Sequence, residues 1–325
     1  MIILKFWAEG RIQHKEKGKQ VTVRRLGWSK TSEAEAQANA DTRAQEALKR
    51  ILTGEKLTRW EKRGPYNGAE GVPICEEIIS EHGETIITRN SYGARCLNTP
   101  NVLFADIDFE TQPRDSVSCF LTLVFMIGAA LASWKLGSLI WFLPLGVGAI
   151  ALGVSLAYGF QKLHHKLNGG VEKLANTRID SFINANPDWR LRVYRTPAGF
   201  RVMVTHRTFA PDAPEVTQLF QSLKVDPVYV KMCQRQKCFR ARVSPKPWRI
   251  GIESHMRPRS GRWPVKPEIA PVRRSWIDAY EQKALEFSSC RFEREIGRGT
   301  MNREVDKVLI LHDELARALT ALPCA

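Results

Sequence analysis

Apolar and polar positions are sharply segregated along this chain. From Val117 to Tyr158 the sequence is almost continuously apolar, and Lys135 is the only formal charge between Asp115 and Lys162. The block divides into Val117–Trp134 and Gly137–Tyr158, two runs of about 18 to 22 residues, each long enough to span a bilayer as a helix. Trp134, Trp141 and Tyr158 stand near the run ends, where interfacial aromatics collect. Gly128, Ala129, Gly146, Ala149 and Gly153 supply the small surfaces that let two such helices pack closely. The competing reading is a core hairpin of a soluble protein, which runs this long and uncharged argue against. The block predicts a transmembrane hairpin over residues 116–160.

Outside that block the pattern alternates between strand and helix periods. Met1–Trp7 and Gln20–Trp28 read as a strand pair. Ser32, with Glu35 three residues on, reads as the N-cap of an alanine-rich helix that Gly54 stops. The reading continues with a polar loop over Trp60–Val72, a short helix at Ile74–Ser80, a strand at Glu84–Thr88 and a polar loop over Arg89–Asn98. After the hairpin, Gly159–Ala185 reads as a helix, Trp189–Arg195 and Gly199–His206 as strands, and Pro214–Leu223 as a helix. Val225–Asp226 and Cys238–Val243 read as strand material. Pro245–Pro271, with six prolines, reads as loop. Val272–Leu322 reads mainly as amphipathic helix. The predicted class is α+β with a mixed or antiparallel sheet. Its parts are residues 1–115 and 161–250 of one α+β domain, the hairpin between them, and a loop-rich, then helical, C-terminal region at 251–325.

Charge changes the picture. The 325 residues carry 49 Lys and Arg against 34 Asp and Glu, a net charge of +15. Such a balance favours nucleotides, nucleic acid or anionic lipid as partners. Basic residues Lys162, His164, His165 and Lys166 beyond the second run place both soluble parts on the cytoplasmic side of an inner or plasma membrane by the positive-inside rule. The seven cysteines, an odd and scattered set, suit free thiols in a reducing compartment. Cys233 and Cys238 with His255 would make only a partial zinc set.

Candidate chemistry begins at Asp106 and Asp108. They stand two apart at the end of an apolar stretch from Val102, so a strand puts both carboxylates on one face. Paired acids suit Mg2+ or Mn2+, and hence phosphoryl or nucleotidyl transfer; a solvated strand end is the plain alternative. Arg201 follows the turn Thr196–Gly199 and is placed to meet phosphate; His206, five residues on, falls on the opposite face and reads equally as structural. Asp226 would be a third carboxylate. Arg240 and Arg242 share a strand face, with Lys246 beyond, as a polyphosphate clamp or an ordinary exposed basic strand would.

Taken together, Asp106 with Asp108, the Gly199–His206 segment, Val225–Asp226 and the string from Asp226 to Lys246 resemble the archaeo-eukaryotic primase (primase-polymerase) superfamily. The resemblance covers about half the chain and departs from the family pattern in two respects. Arg201 stands where the family has a histidine, and the apolar hairpin interrupts the motifs. It implies divalent metal on Asp106, Asp108 and Asp226, a nucleoside triphosphate held by Arg201 or His206 with Arg240, Arg242 and Lys246, and a nucleic-acid partner. The alternative of another class is a catalytically inactive, membrane-bound interaction or scaffold protein of the same fold. A transporter is disfavoured, because the two spans carry no internal charge to line a pathway.

Overall fold

The side chain of Ser32 accepts a hydrogen bond from the Glu35 amide and starts the first helix where the sequence places it. The computed structural model describes residues 3–16, 18–61, 72–113, 115–257 and 263–325. In chain order the elements are β1 (Phe6–Glu16), β2 (Lys19–Ser29), α1 (Glu33–Leu52), β3 (Glu77–His82), β4 (Thr85–Arg89), β5 (Arg95–Thr99), β6 (Phe104–Asp108), α2 (Asp115–Lys135), α3 (Phe142–Leu167), α4 (Val171–Ala185), β7 (Arg190–Thr196), β8 (Gly199–Val204), α5 (Pro214–Leu223), α6 (Pro227–Gln236), β9 (Phe239–Arg242), α7 (Ala270–Ala284), β10 (Arg291–Gly297) and α8 (Arg303–Ala316). The class is α+β with antiparallel pairing.

Two compact units are present. One comprises Met1–Ile107 and Ala185–Ala325, and the other Asp108–Asn184. In the first, α1 lies on the β1–β2 hairpin through its alanine face, with Ala36, Ala40 and Ala44 buried. Glycines in the strands make this approach possible. A Cβ on Gly27 would stand 2.2 Å from the Ala36 carbonyl oxygen, and one on Gly10 2.4 Å from that of Ala40.

The same unit holds two four-stranded sheets among the described residues, in the orders β10-β7-β8-β6 and β3-β4-β5-β9. All six residues of β8 are buried. The buried Tyr229 hydroxyl joins the sheets. It lies 3.1 Å from the Phe104 carbonyl oxygen on β6 and 2.9 Å from that of Arg240 on β9, and it accepts from the Arg240 amide at 3.2 Å. The single hydroxyl proton is shared between the two carbonyls while the hydroxyl oxygen accepts from the amide, so one side chain serves three buried backbone groups.

In the second unit α2 and α3 pack antiparallel. A Cβ on Gly153 would meet the Thr122 backbone at 2.7 Å, and one on Gly146 the Met126 side chain at 3.7 Å. Both helices are long and apolar enough to cross a membrane. Only 11% and 22% of their most apolar windows are buried, whereas the core helix of a soluble protein is mostly buried. Phe120, Leu123, Ile127, Leu131, Leu143 and Val147 face outward.

Several sequence expectations are corrected. The first strand pair runs through the polar segment 8–16, where Glu9, Arg11, Gln13 and Lys15 alternate outward. Residues 77–82 form β3, not the end of a helix, since pairing with β4 outweighs local propensity. The expected loop over Arg89–Asn98 contains the start of β5. The expected helix over Gly159–Ala185 divides at Gly169 and Gly170, whose φ values of 77° and 98° end α3 before α4 begins. Asp226 caps α6 instead of lying in strand material. The C-terminal region contains β10 on the edge of a sheet as well as helices. Most of the expected Trp60–Val72 loop lies outside the described residues.

Candidate functional site

Strands β6 and β8 are neighbours, and this adjacency sets Arg201 opposite Asp106. Arg201 Nε donates to Asp106 Oδ1 at 2.7 Å and Nη2 donates to Oδ2 at 3.0 Å, a two-pronged ion pair. Nη1 donates to the Arg242 carbonyl oxygen at 2.7 Å, so the same guanidinium also ties β8 to β9. Arg201 is 1% exposed, whereas the Asp106 side chain keeps 43% of its surface accessible. Burial alone would raise the Asp106 pKa, but the charge and hydrogen bonds of Arg201 hold it below the usual carboxylate value. Reciprocally, burial works against the Arg201 charge, and Asp106 more than offsets it.

The network continues inward. His312 Nε2 lies 3.4 Å from Arg201 Nη1, and His312 Nδ1 lies 2.9 Å from Asp313 Oδ1. That pattern assigns the proton to Nδ1 and leaves Nε2 to accept from Arg201. Burial pushes the His312 pKa down, which keeps the ring neutral. Arg192 Nη2 donates to Asp313 Oδ2 at 2.9 Å, and its Nε to the Tyr194 hydroxyl at 3.1 Å. Cys290 Sγ stands 3.9 Å from His312 Nε2, so Cys290, His312 and Asp313 follow one another as a nucleophile, base and orienting acid would. They do not form such a site. Burial pushes the thiol up to about 12, all three side chains are buried, and Nε2 already faces a guanidinium.

The other predicted site residues are dispersed. Asp108 is exposed at the end of β6. Asp226 Oδ1 accepts from the Val228 amide at 2.9 Å and is the N-cap of α6, with Pro227 at the first helical position. Among the described residues no three His, Cys, Asp or Glu side chains are grouped to hold a metal ion, so Asp106, Asp108 and Asp226 do not make a three-carboxylate centre. A divalent ion on Asp106 would also have to compete with Arg201 for both oxygens. The residues present therefore do not fit the expected Mg2+ or Mn2+ site. Cys233 and Cys238 are buried thiols, both with raised pKa values, and His255 is exposed.

Arg240 is committed to Glu76, with Nη2 2.6 and 2.8 Å from its two carboxylate oxygens, and Nη1 donates to Asn98 Oδ1 at 3.1 Å. His206 packs on Trp189 and Phe209, with ring centroids 4.9 and 5.6 Å away, and its Nδ1 accepts from the Arg190 amide. Arg240 therefore acts as a structural ion-pair partner and His206 as a packing group. The charge of Arg242 helps to lower the Asp106 pKa, and Lys246 lies over Trp248.

Sequence reasoning missed His312, Asp313 and Glu76. Helix α8 buries Val305, Leu309, His312, Asp313 and Ala316, so two polar residues sit on its apolar period. That mismatch was the available signal for a buried polar network; Glu76 carried none. No protein-family model, no curated protein and no solved structure matches the chain.

Proposed function

We propose that the chain is a basic nucleic-acid-binding module attached to a membrane by the α2–α3 hairpin, with its acidic strand retained as a structural strut and not as a catalytic centre. The observation that carries this reading is the Arg201–Asp106 ion pair. A guanidinium stands against both carboxylate oxygens, where the primase-polymerase resemblance calls for a divalent ion. Asp226, the third expected ligand, is engaged as a helix cap. The net charge of +15 supports an anionic partner.

The hairpin supports the membrane half of the reading. Two long apolar helices that bury little of their surface on the protein itself need an apolar surrounding. Lys162, His164 and Lys166 extend α3 past its apolar part and favour the cytoplasmic face.

Two measurements test the proposal together. The purified full chain should retain single-stranded nucleic acid in the presence of a chelator, and should incorporate no labelled nucleotide with Mg2+ or Mn2+. Metal-dependent incorporation that Asp106→Ala abolishes would instead establish the nucleotidyltransferase reading.

A further inference from the structure

Trp248 is 54% exposed, and between Val228 and Val272 no other large apolar side chain among the described residues is exposed. It lies in a short 3-10 turn, Pro247–Arg249. Its ring meets the Tyr92 ring edge-on at 5.2 Å, and the Lys246 ammonium stands 5.4 Å from the Trp248 ring centroid. Tyr92 is half-buried; burial pushes its hydroxyl pKa up, and the charge and hydrogen bond of Arg242 work against that rise. Burial pushes the Cys324 thiol up, and the charges of Arg291, Arg249 and Arg242 each act against that rise.

Both aromatic rings are held in place. Tyr92 is at the tip of the β4–β5 turn, where Asn90 Oδ1 accepts from the Tyr92 and Ala94 amides at 3.2 and 3.0 Å. Gly93 allows that turn to close against α7. Its φ is 98°, and a Cβ there would stand 2.3 Å from the Trp276 ring. The Trp248 turn is fixed from the same helix, since the Tyr280 hydroxyl donates to the Pro245 carbonyl oxygen at 2.7 Å. Trp276 stacks on Tyr280 with the ring planes 8° apart. The stacked pair of buried Tyr280 and half-buried Trp276 therefore supports both loops.

We propose that Trp248 and Tyr92, with Lys246 and Arg242, form a stacking ledge for one or two unpaired bases of a single-stranded nucleic acid, the flanking cations taking the adjoining phosphates. A rigid exposed ring among cations is what base stacking with backbone neutralisation requires. A lipid-facing surface would present several aliphatic side chains beside the tryptophan, and among the described residues between Val228 and Val272 none is exposed. A duplex hides its base faces and offers the ledge only phosphate. The inference rests on the proposed nucleic-acid-binding module and names the surface it would use; it requires no catalysis.

The test is binding of a fluorescent oligothymidylate of about 20 nucleotides to the full chain in phosphatidylcholine nanodiscs, with the matching duplex alongside. Trp248→Ala should weaken the single strand about 5- to 150-fold, the loss of one stacked base, and leave the duplex unchanged. Trp248→Phe should keep most of the affinity. Lys246→Gln should lower the dependence of log affinity on log salt by about one unit. Equal loss on single strand and duplex, or none on either, overturns the ledge while the basic module stands. A wild-type chain that binds neither strand form overturns the module itself. A gain of Trp248-dependent protection on adding phosphatidylglycerol, without oligonucleotide binding, assigns the ledge to lipid and overturns the proposal.

Discussion

Arg201 and Asp106 face each other from neighbouring strands, joined by hydrogen bonds of 2.7 and 3.0 Å, but they do not share the same solvent. The cation is buried and the anion is partly wet. A third hydrogen bond runs from the same guanidinium to β9, so the pair also couples the two sheets.

The unequal exposure predicts unequal mutants. Asp106→Ala leaves a buried guanidinium without its counter-charge and should cost about 3–5 kcal/mol. Arg201→Met leaves a carboxylate that water can reach and should cost clearly less. The double variant should recover much of the Asp106→Ala loss. Thermal melts of the three variants in one detergent decide this; equal melting points for the two single variants would count against it.

Two pH windows follow from the same network. The pKa of His312 is lowered by burial, with Arg201 facing Nε2, Asp313 facing Nδ1, and Cys290 and Asp106 nearby. Below about pH 6.5 the unfolded histidine takes a proton that the folded one refuses, so stability falls as pH drops from 7 towards the folded value. Asp106 acts lower. Its folded pKa is depressed, so its contribution is complete above about pH 4 and is lost as pH falls further. His312→Gln should flatten the melting curve between pH 7 and 5 without changing the loss below pH 4; an unchanged slope above pH 5 would remove His312 from the account.

Much of this architecture was legible. The Ser32 cap, the Pro214–Leu223 helix and the two apolar runs follow from local chemistry that tertiary contacts reinforce. The strands β3 and β10 were not. Both carry charged residues that favour helix locally, and pairing with a neighbouring strand decides them. At the site, the sequence singled out Asp106 and Arg201 separately, as metal ligand and phosphate contact. Nothing local to either reveals that they bind each other across 95 positions. Asp226 was different, because Asp followed by Pro227 is itself a helix-start signature that the three-carboxylate reading overrode.

Asp226 supplies a direct discriminator. As a cap, Asp226→Ala should lower stability by about 0.5–2 kcal/mol and Asp226→Ser should restore most of it. Nucleic-acid affinity should not change in either variant. A loss of binding that Ser fails to rescue would return Asp226 to the site.

The hairpin makes a prediction from glycine alone. Gly153→Val places side-chain atoms against the Thr122 backbone and should destabilise the α2–α3 pair by about 1–3 kcal/mol. A Cβ on Gly148 meets nothing within 4 Å, so Gly148→Val should be tolerated. Melting of the two variants in the same mild detergent tests the packing, and similar behaviour would contradict it.

The most direct test of the central claim is nucleotide incorporation by the full chain with Mg2+ and with Mn2+, set beside single-strand binding in a chelator. The account predicts binding that survives the chelator and no incorporation by the wild type. Incorporation that requires metal and disappears in Asp106→Ala would show that the Arg201–Asp106 pair opens to admit an ion, and would contradict the account.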